Sequence, residues 1–143
     1  CRPDGIVVVA EALLEILPAE VTAIGGLTMG ADPVAFGVAA VAATKGRMLR
    51  SFSVRKESKD HGVTGRLAGA LLPDDQVVIV EDTTTRGTSL LEAVEVVRAF
   101  GANVVLASVI VDRGTTCAEL CTANNVVYHP LLTATDLGFD PGT

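Results

Sequence analysis

The chain has 143 residues, 49% of them hydrophobic and only 3% aromatic, with a formal charge of −6 and a pI near 4.8. That length suits a single core domain spanning 1–143, packed from Val, Ala, Leu and Ile, with no need of a second domain. The acidic balance excludes nucleic acid as the main partner, and no apolar run reaches the roughly eighteen residues that a membrane span requires.

Ile6 to Leu17 carries a helical pattern that stops before Pro18, Glu20 to Ile24 reads as a strand, and Gly25 to Ala31 as a Gly-rich loop. Asp32 is placed to N-cap the next helix, with Pro33 at its first position and Gly46 closing it. Leu49 to Val54 reads as a strand running into the basic stretch Arg55–Arg66, which has two glycines and low hydrophobicity and is expected to be a mobile loop. Val77 to Val80 is a buried strand, followed by Glu81 and Asp82 and then a polar loop, Thr83–Thr88. A helix from Ser89 to Phe100 carries a capping-box pair, Ser89 and Glu92, with Gly101 beyond its end. Asn103 to Val111 is a long strand; a short helix over Thr116–Ala123 and a strand at Val126–Tyr128 complete the pattern. The alternation predicts an α/β fold, a mainly parallel twisted sheet flanked by helices on both faces.

Cysteine use is light and odd in number: Cys1, Cys117 and Cys121, with no CxxC pair. Cys117 and Cys121 share a helical face and read as structural, and the composition points to a reducing, cytoplasmic setting. His129 has no motif around it and also reads as structural. The chain opens on Cys1 and not Met, so a further N-terminal piece is expected ahead of it.

Chemistry concentrates in Val77–Ser89, a buried strand that delivers two carboxylates and five hydroxyls to the carboxyl edge of a sheet, where open α/β folds bind ligands. A loop entering a helix N-terminus offers free backbone N–H groups and a favourable dipole, so a phosphate monoester is a natural occupant. Thr83, Thr84, Thr85, Thr88 and Ser89 add hydroxyls, and Gly87 admits close approach. Glu81 and Asp82 suit a sugar diol or a hydrated Mg²⁺. The bland alternative is a capped helix start with two solvated acids.

Seven of the eleven basic residues fall between Lys45 and Arg66, which in an acidic chain points to an anionic ligand, although a charged surface loop would look the same. Gly25–Pro33 links strand to helix without the Lys-Ser/Thr of a Walker A loop. Arg113 closes a strand at the same sheet edge, as a carboxylate-binding fork or as a salt-bridge partner of Asp112.

Four apolar residues, two acids and a Thr/Gly loop resemble the phosphoribosyl pyrophosphate motif of type I phosphoribosyltransferases. Arg55–Gly62 resembles the Arg-Lys-x-x-Lys-x-His-Gly catalytic lid of the orotate phosphoribosyltransferases, and Gly25–Pro33 the family's pyrophosphate loop. The resemblance runs from Ile6 to Gly138. It implies transfer of phosphoribose from phosphoribosyl pyrophosphate to orotate in pyrimidine biosynthesis, with Mg²⁺ held through substrate and water near Asp82. It further implies a homodimer whose basic lid reaches the partner's site.

On that resemblance Lys59, His61 and Asp82 are the catalytic candidates. Arg55 and Lys56 neutralise pyrophosphate, Glu81 and Asp82 hold the ribose hydroxyls, and Thr83, Thr84, Thr85, Arg86, Gly87, Thr88 and Ser89 cradle the 5′-phosphate. Arg113 with Thr85 recognises orotate. Arg86 and Met29 depart from the family pattern, a small residue and a Lys respectively being common there. The alternatives are a purine-base phosphoribosyltransferase, which should lack this lid, and a non-catalytic sugar-phosphate sensor, which usually carries a basic nucleic-acid-binding face.

Overall fold

A computed structural model describes residues 2–57 and 63–142. The elements run α1 (Pro3–Ile16), β1 (Ala23–Leu27), α2 (Ala31–Thr44), β2 (Arg50–Val54), β3 (Leu67–Gly69), β4 (Gln76–Thr84), α3 (Thr88–Phe100), β5 (Asn103–Asp112), α4 (Cys117–Ala123) and β6 (Leu132–Thr133). Short 3₁₀ turns cover Val63–Arg66 and Thr135–Leu137. The six strands form one sheet in the order β3-β2-β1-β4-β5-β6, parallel throughout except for the antiparallel edge strand β3.

Alternation along the central strand sorts the core into two layers. Val78 and Val80 face α1 and α2, meeting Leu13, Val34, Ala35 and Val38. Val77 and Ile79 face α3 and α4, meeting Leu90, Val94, Val97 and Cys117. Helices therefore cover both faces, as expected of a parallel sheet. By the same parity Glu81 continues the α3 side and Asp82 the α1/α2 side, so one strand hands its two acids to opposite flanks of the sheet edge. No helix among the described residues is long and apolar enough to cross a membrane.

Several expected boundaries move. α1 begins at Pro3 and not Ile6, because proline in a first turn sacrifices no helical hydrogen bond. β1 lies at Ala23–Leu27, so Gly25 and Gly26 are strand residues and not loop. Glu81 to Thr84 still pair with β5, which lengthens β4 past Val80. Val126–Tyr128 is not a strand: only Tyr128 bridges β5, at Ala107, and the sixth strand is Leu132–Thr133. The β3 edge went unread in a stretch of only three residues.

Both predicted caps fail, for one reason. Each helix starts earlier than its candidate cap, which then sits inside the first turn with helical backbone and cannot reach the free N–H groups. Gly30 precedes α2 in place of Asp32, and Gly87 precedes α3 in place of Ser89, with no side-chain cap at either end. Glu92 pairs with Arg66 instead. The C-terminal glycines behave as expected: Gly46 and Gly101 both take positive φ just past their helices.

Candidate active site

Three connections converge at the carboxyl edge of the sheet: β1 to α2, β4 to α3, and the turn after β5. Asp82 is exposed there, with one carboxylate oxygen accepting the Thr83 N–H at 2.7 Å. Across from it lies Gly30, where a Cβ would come within 2.6 Å of Asp82 Oδ1. A side chain here would displace the acid, so glycine lets the first loop close on it. Asp32, displaced from its predicted capping role, accepts the Thr28 hydroxyl on Oδ2 and the Ser53 hydroxyl on Oδ1, each at 2.7 Å. The network ties the β1–α2 loop to the end of β2, directly before Arg55. Sequence offered no sign of it, because Asp before a helix reads first as a cap.

The β4–α3 loop is shaped by its own side chains. Thr84 is buried, and its Oγ1 accepts the Gly87 N–H at 2.9 Å, so this hydroxyl holds the turn closed. Gly87 has φ +82° and packs on Cys117, whose sulfur would lie 2.7 Å from any Cβ there. Thr83, Arg86 and Thr88 are exposed, and Thr85 and Ser89 half-buried, around the uncapped start of α3. An uncapped helix start presents free N–H donors and the positive end of the dipole to an anion. Arg86 borders a surface depression with Thr116 and with Glu119 and Leu120 of α4.

Glu81 is half-buried on the other flank. Burial pushes its carboxyl up to about 7; Asp82 adds to the rise, and Lys56 opposes it. Lys56 is exposed, while Arg55 donates through Nη1 to the Gly65 carbonyl at 3.2 Å and through its backbone N–H to Arg66. Lys59 and His61 lie outside the described residues. Arg113 is exposed at the end of β5 and does not pair with Asp112, which disposes of the salt-bridge alternative. Its backbone N–H donates to Thr84 O at 2.8 Å, setting it beside the β4–α3 loop.

A hollow of about 380 Å³ opens next to Asp82 and Gly30, walled by Ile6, Met29, Pro33, Val34 and Ile110. Among the described residues no three His, Cys, Asp or Glu side chains gather to hold a metal ion. The carboxylate oxygens of Glu81 and Asp82 are hard donors, a set that fits a Mg²⁺ carried mainly by ligand oxygens and water. Cys117 and Cys121 are buried side by side in the core, as structural residues would be.

This arrangement can hold a phosphate at a helix start, a polyol at two acids and a second anion at a glycine loop. The phosphoribosyl transferase domain family model matches residues 6–120. The chain is 48% identical over 119 residues to an orotate phosphoribosyltransferase of Streptomyces avermitilis, covering 82% of this chain and 65% of that one. It is 41% identical over 137 residues to an orotate phosphoribosyltransferase of Mycobacterium tuberculosis, covering 92% and 75%. A crystal structure of the M. tuberculosis orotate phosphoribosyltransferase in complex with 5-phospho-α-D-ribosyl 1-diphosphate superposes with a TM-score of 0.85 at 33% identity, over 96% of this chain and 78% of that one. The chain spans 62–65% of the length of several of its curated relatives, from Streptomyces and Corynebacterium. Sequence and sheet-edge geometry thus agree, and the chain belongs to the phosphoribosyl transferase domain family.

Proposed function

We propose that this chain is the core of a Mg²⁺-dependent orotate phosphoribosyltransferase, forming orotidine 5′-monophosphate and pyrophosphate in cytoplasmic pyrimidine biosynthesis. The observation that carries the reading is the uncapped start of α3 at Gly87, on the loop that follows the two acids of β4, of which Asp82 lies against Gly30. The 5′-phosphate seats on the free N–H groups of Thr88–Leu90, with Thr83, Thr85, Arg86, Thr88 and Ser89 around it and Thr84 holding the turn's shape. Glu81 and Asp82 take the ribose hydroxyls, and the Thr28–Gly30 backbone takes the diphosphate. Arg113, with Thr85, takes the orotate carboxylate as a planar fork.

In the reaction the bond between the anomeric carbon and the diphosphate oxygen breaks, its electron pair leaving with the diphosphate. The orotate ring nitrogen, its proton given up, bonds to the same carbon. Positive charge grows on the ribose and negative charge on the leaving group, so fixed cations at the diphosphate lower the barrier. Lys59, Arg55 and Lys56 supply them, with His61 as helper and proton donor. Mg²⁺, when bound, neutralises diphosphate charge. We further propose a homodimer in which the Arg55–Gly62 lid serves the partner's site, all 143 residues forming one core domain.

The test is a spectrophotometric assay of orotate consumption with phosphoribosyl pyrophosphate and Mg²⁺, alongside calorimetric binding of the sugar phosphate. Turnover that needs Mg²⁺ and is lost in Lys59→Ala is expected. Absence of sugar-phosphate binding would overturn the assignment of Glu81–Ser89. Lys59→Ala subunits mixed with Asp82→Asn subunits should regain activity through hybrid dimers, and no recovery would count against lid sharing.

A further inference from the structure

β5 ends in a buried carboxylate that does not serve the arginine beside it. Asp112 is 6% exposed; its Oδ1 accepts the Gly114 N–H at 3.0 Å and its Oδ2 the Tyr128 hydroxyl at 2.9 Å. Arg113 lies between the two ends of that clamp. Backbone bonds continue it on both sides: Arg113 N–H to Thr84 O, and Ala134 N–H to Asp112 O, each 2.8 Å. Gly114 sits so close to Thr85 that any Cβ would overlap the Thr85 carbonyl.

Tyr128 is the only tyrosine of the chain, sixteen residues from Asp112, and is held in place by its bridge to Ala107. Burial raises its pKa, as do the Cys117 thiol and the Asp112 carboxylate, so the hydroxyl keeps the proton it donates. A carboxylate withdrawn from water needs each of its donors, and losing one leaves a charged acceptor unsatisfied. The Asp112–Gly114 turn is therefore only as fixed as the Tyr128 bond.

We propose that Tyr128 is a positioning residue for base recognition: its hydroxyl, through Asp112, fixes the turn that aims Arg113. The inference rests on the reading of Arg113 and Thr85 as the base-recognising pair. It assigns no contact between Tyr128 and substrate. A mere strut would weaken every ligand and the fold together, whereas an aiming role falls on the base alone.

The experiment is calorimetric titration of the full chain with orotidine 5′-monophosphate and, separately, with ribose 5-phosphate, which lacks the base. Four proteins are compared: wild type, Tyr128→Phe, Arg113→Ala and the double variant. Tyr128→Phe should weaken orotidine 5′-monophosphate roughly tenfold and leave ribose 5-phosphate within about twofold. In the Arg113→Ala background the same change should cost less than about twofold, because the residue it acts through is gone. Asp112→Ala, which removes the acceptor of the Tyr128 hydroxyl, should give the same base-selective loss should Tyr128→Phe fold poorly. Equal weakening of both ligands, a penalty that persists without Arg113, or no penalty at all would each overturn the proposal. Should Arg113→Ala itself leave orotidine 5′-monophosphate binding unchanged, the base-site reading falls and takes this inference with it. That outcome differs from one in which Arg113→Ala weakens binding and Tyr128→Phe does not.

Discussion

The two ends of β4 carry carboxylates in opposite circumstances. At the amino end Asp75 is buried, yet both oxygens are occupied: Oδ1 by the Thr22 hydroxyl at 2.8 Å and the Arg50 guanidinium, Oδ2 by the Leu72 N–H at 2.8 Å. Burial alone would push its carboxyl up, but these partners hold it below the ordinary 3.8. At the carboxyl end Glu81 is half-buried beside Asp82, with Lys56 the only opposing charge on it among the described residues, and is pushed up to about 7. One strand thus has a satisfied charge that stabilises the fold at its amino end and, at its site, two acids with fewer partners among the described residues. That shortage is what a ribose diol and a cation would fill.

The comparison is broken most severely by Asp75→Ala. It strips three partners at once and leaves the Arg50 charge uncompensated, for an expected loss of about 3 kcal/mol in urea unfolding. Ribose 5-phosphate affinity of the protein that remains folded should be unaltered. Because the folded carboxyl titrates below its ordinary 3.8, this contribution is present above that pH and lost as the pH falls further. The variant and the wild type should therefore converge in acid. Asp82→Asn is the counterpart: about a 100-fold loss of turnover, with an unfolding midpoint that does not move, since the residue is exposed. A shift in midpoint comparable to that of Asp75→Ala would erase the distinction between the two ends.

Much of this was legible in the sequence, and the remainder was hidden for identifiable reasons. Val77–Val80 with its two acids, and Gly101 beyond α3, are local signals and survive folding unchanged in meaning. Asp32 and Ser89 were misread because a capping residue and a residue one or two positions inside the helix look alike in one dimension. The Asp112–Tyr128 pair, the Asp32–Ser53 bond and the Asp75 network join residues 16, 21 and up to 53 positions apart. No spacing within a single chain announces such pairs. β3 and β6 are too short to show periodicity at all.

Gly30→Ala sharpens the comparison at smaller cost. The new methyl would stand 2.6 Å from Asp82 Oδ1, so either the acid or the β1–α2 loop must shift. The expected result is roughly tenfold weaker binding of pyrophosphate and of phosphoribosyl pyrophosphate, with ribose 5-phosphate less affected. Equal losses for all three ligands would place the disturbance at the proposed sugar acids and not at the proposed diphosphate loop.

The smallest effect is the pH dependence of Glu81. Its folded pKa is raised from 4.5 to about 7, so between those values the folded state holds a proton that the unfolded chain has released. Its contribution to stability is therefore complete below 4.5 and lost as the pH rises through about 7. Glu81→Gln, neutral at every pH, should unfold at higher urea than the wild type at pH 8 and lose that advantage by pH 5. Ligand binding should run the other way. A ribose diol donates to the ionised carboxylate, so wild-type affinity for ribose 5-phosphate should rise several-fold from pH 6 to 8 relative to Glu81→Gln, the phosphate's own ionisation cancelling between the two. Parallel pH profiles for the two proteins would mean that Glu81 does not meet the sugar. The raised carboxyl at this end of β4 would then be a cost of burial alone and not a reserve held for the ligand.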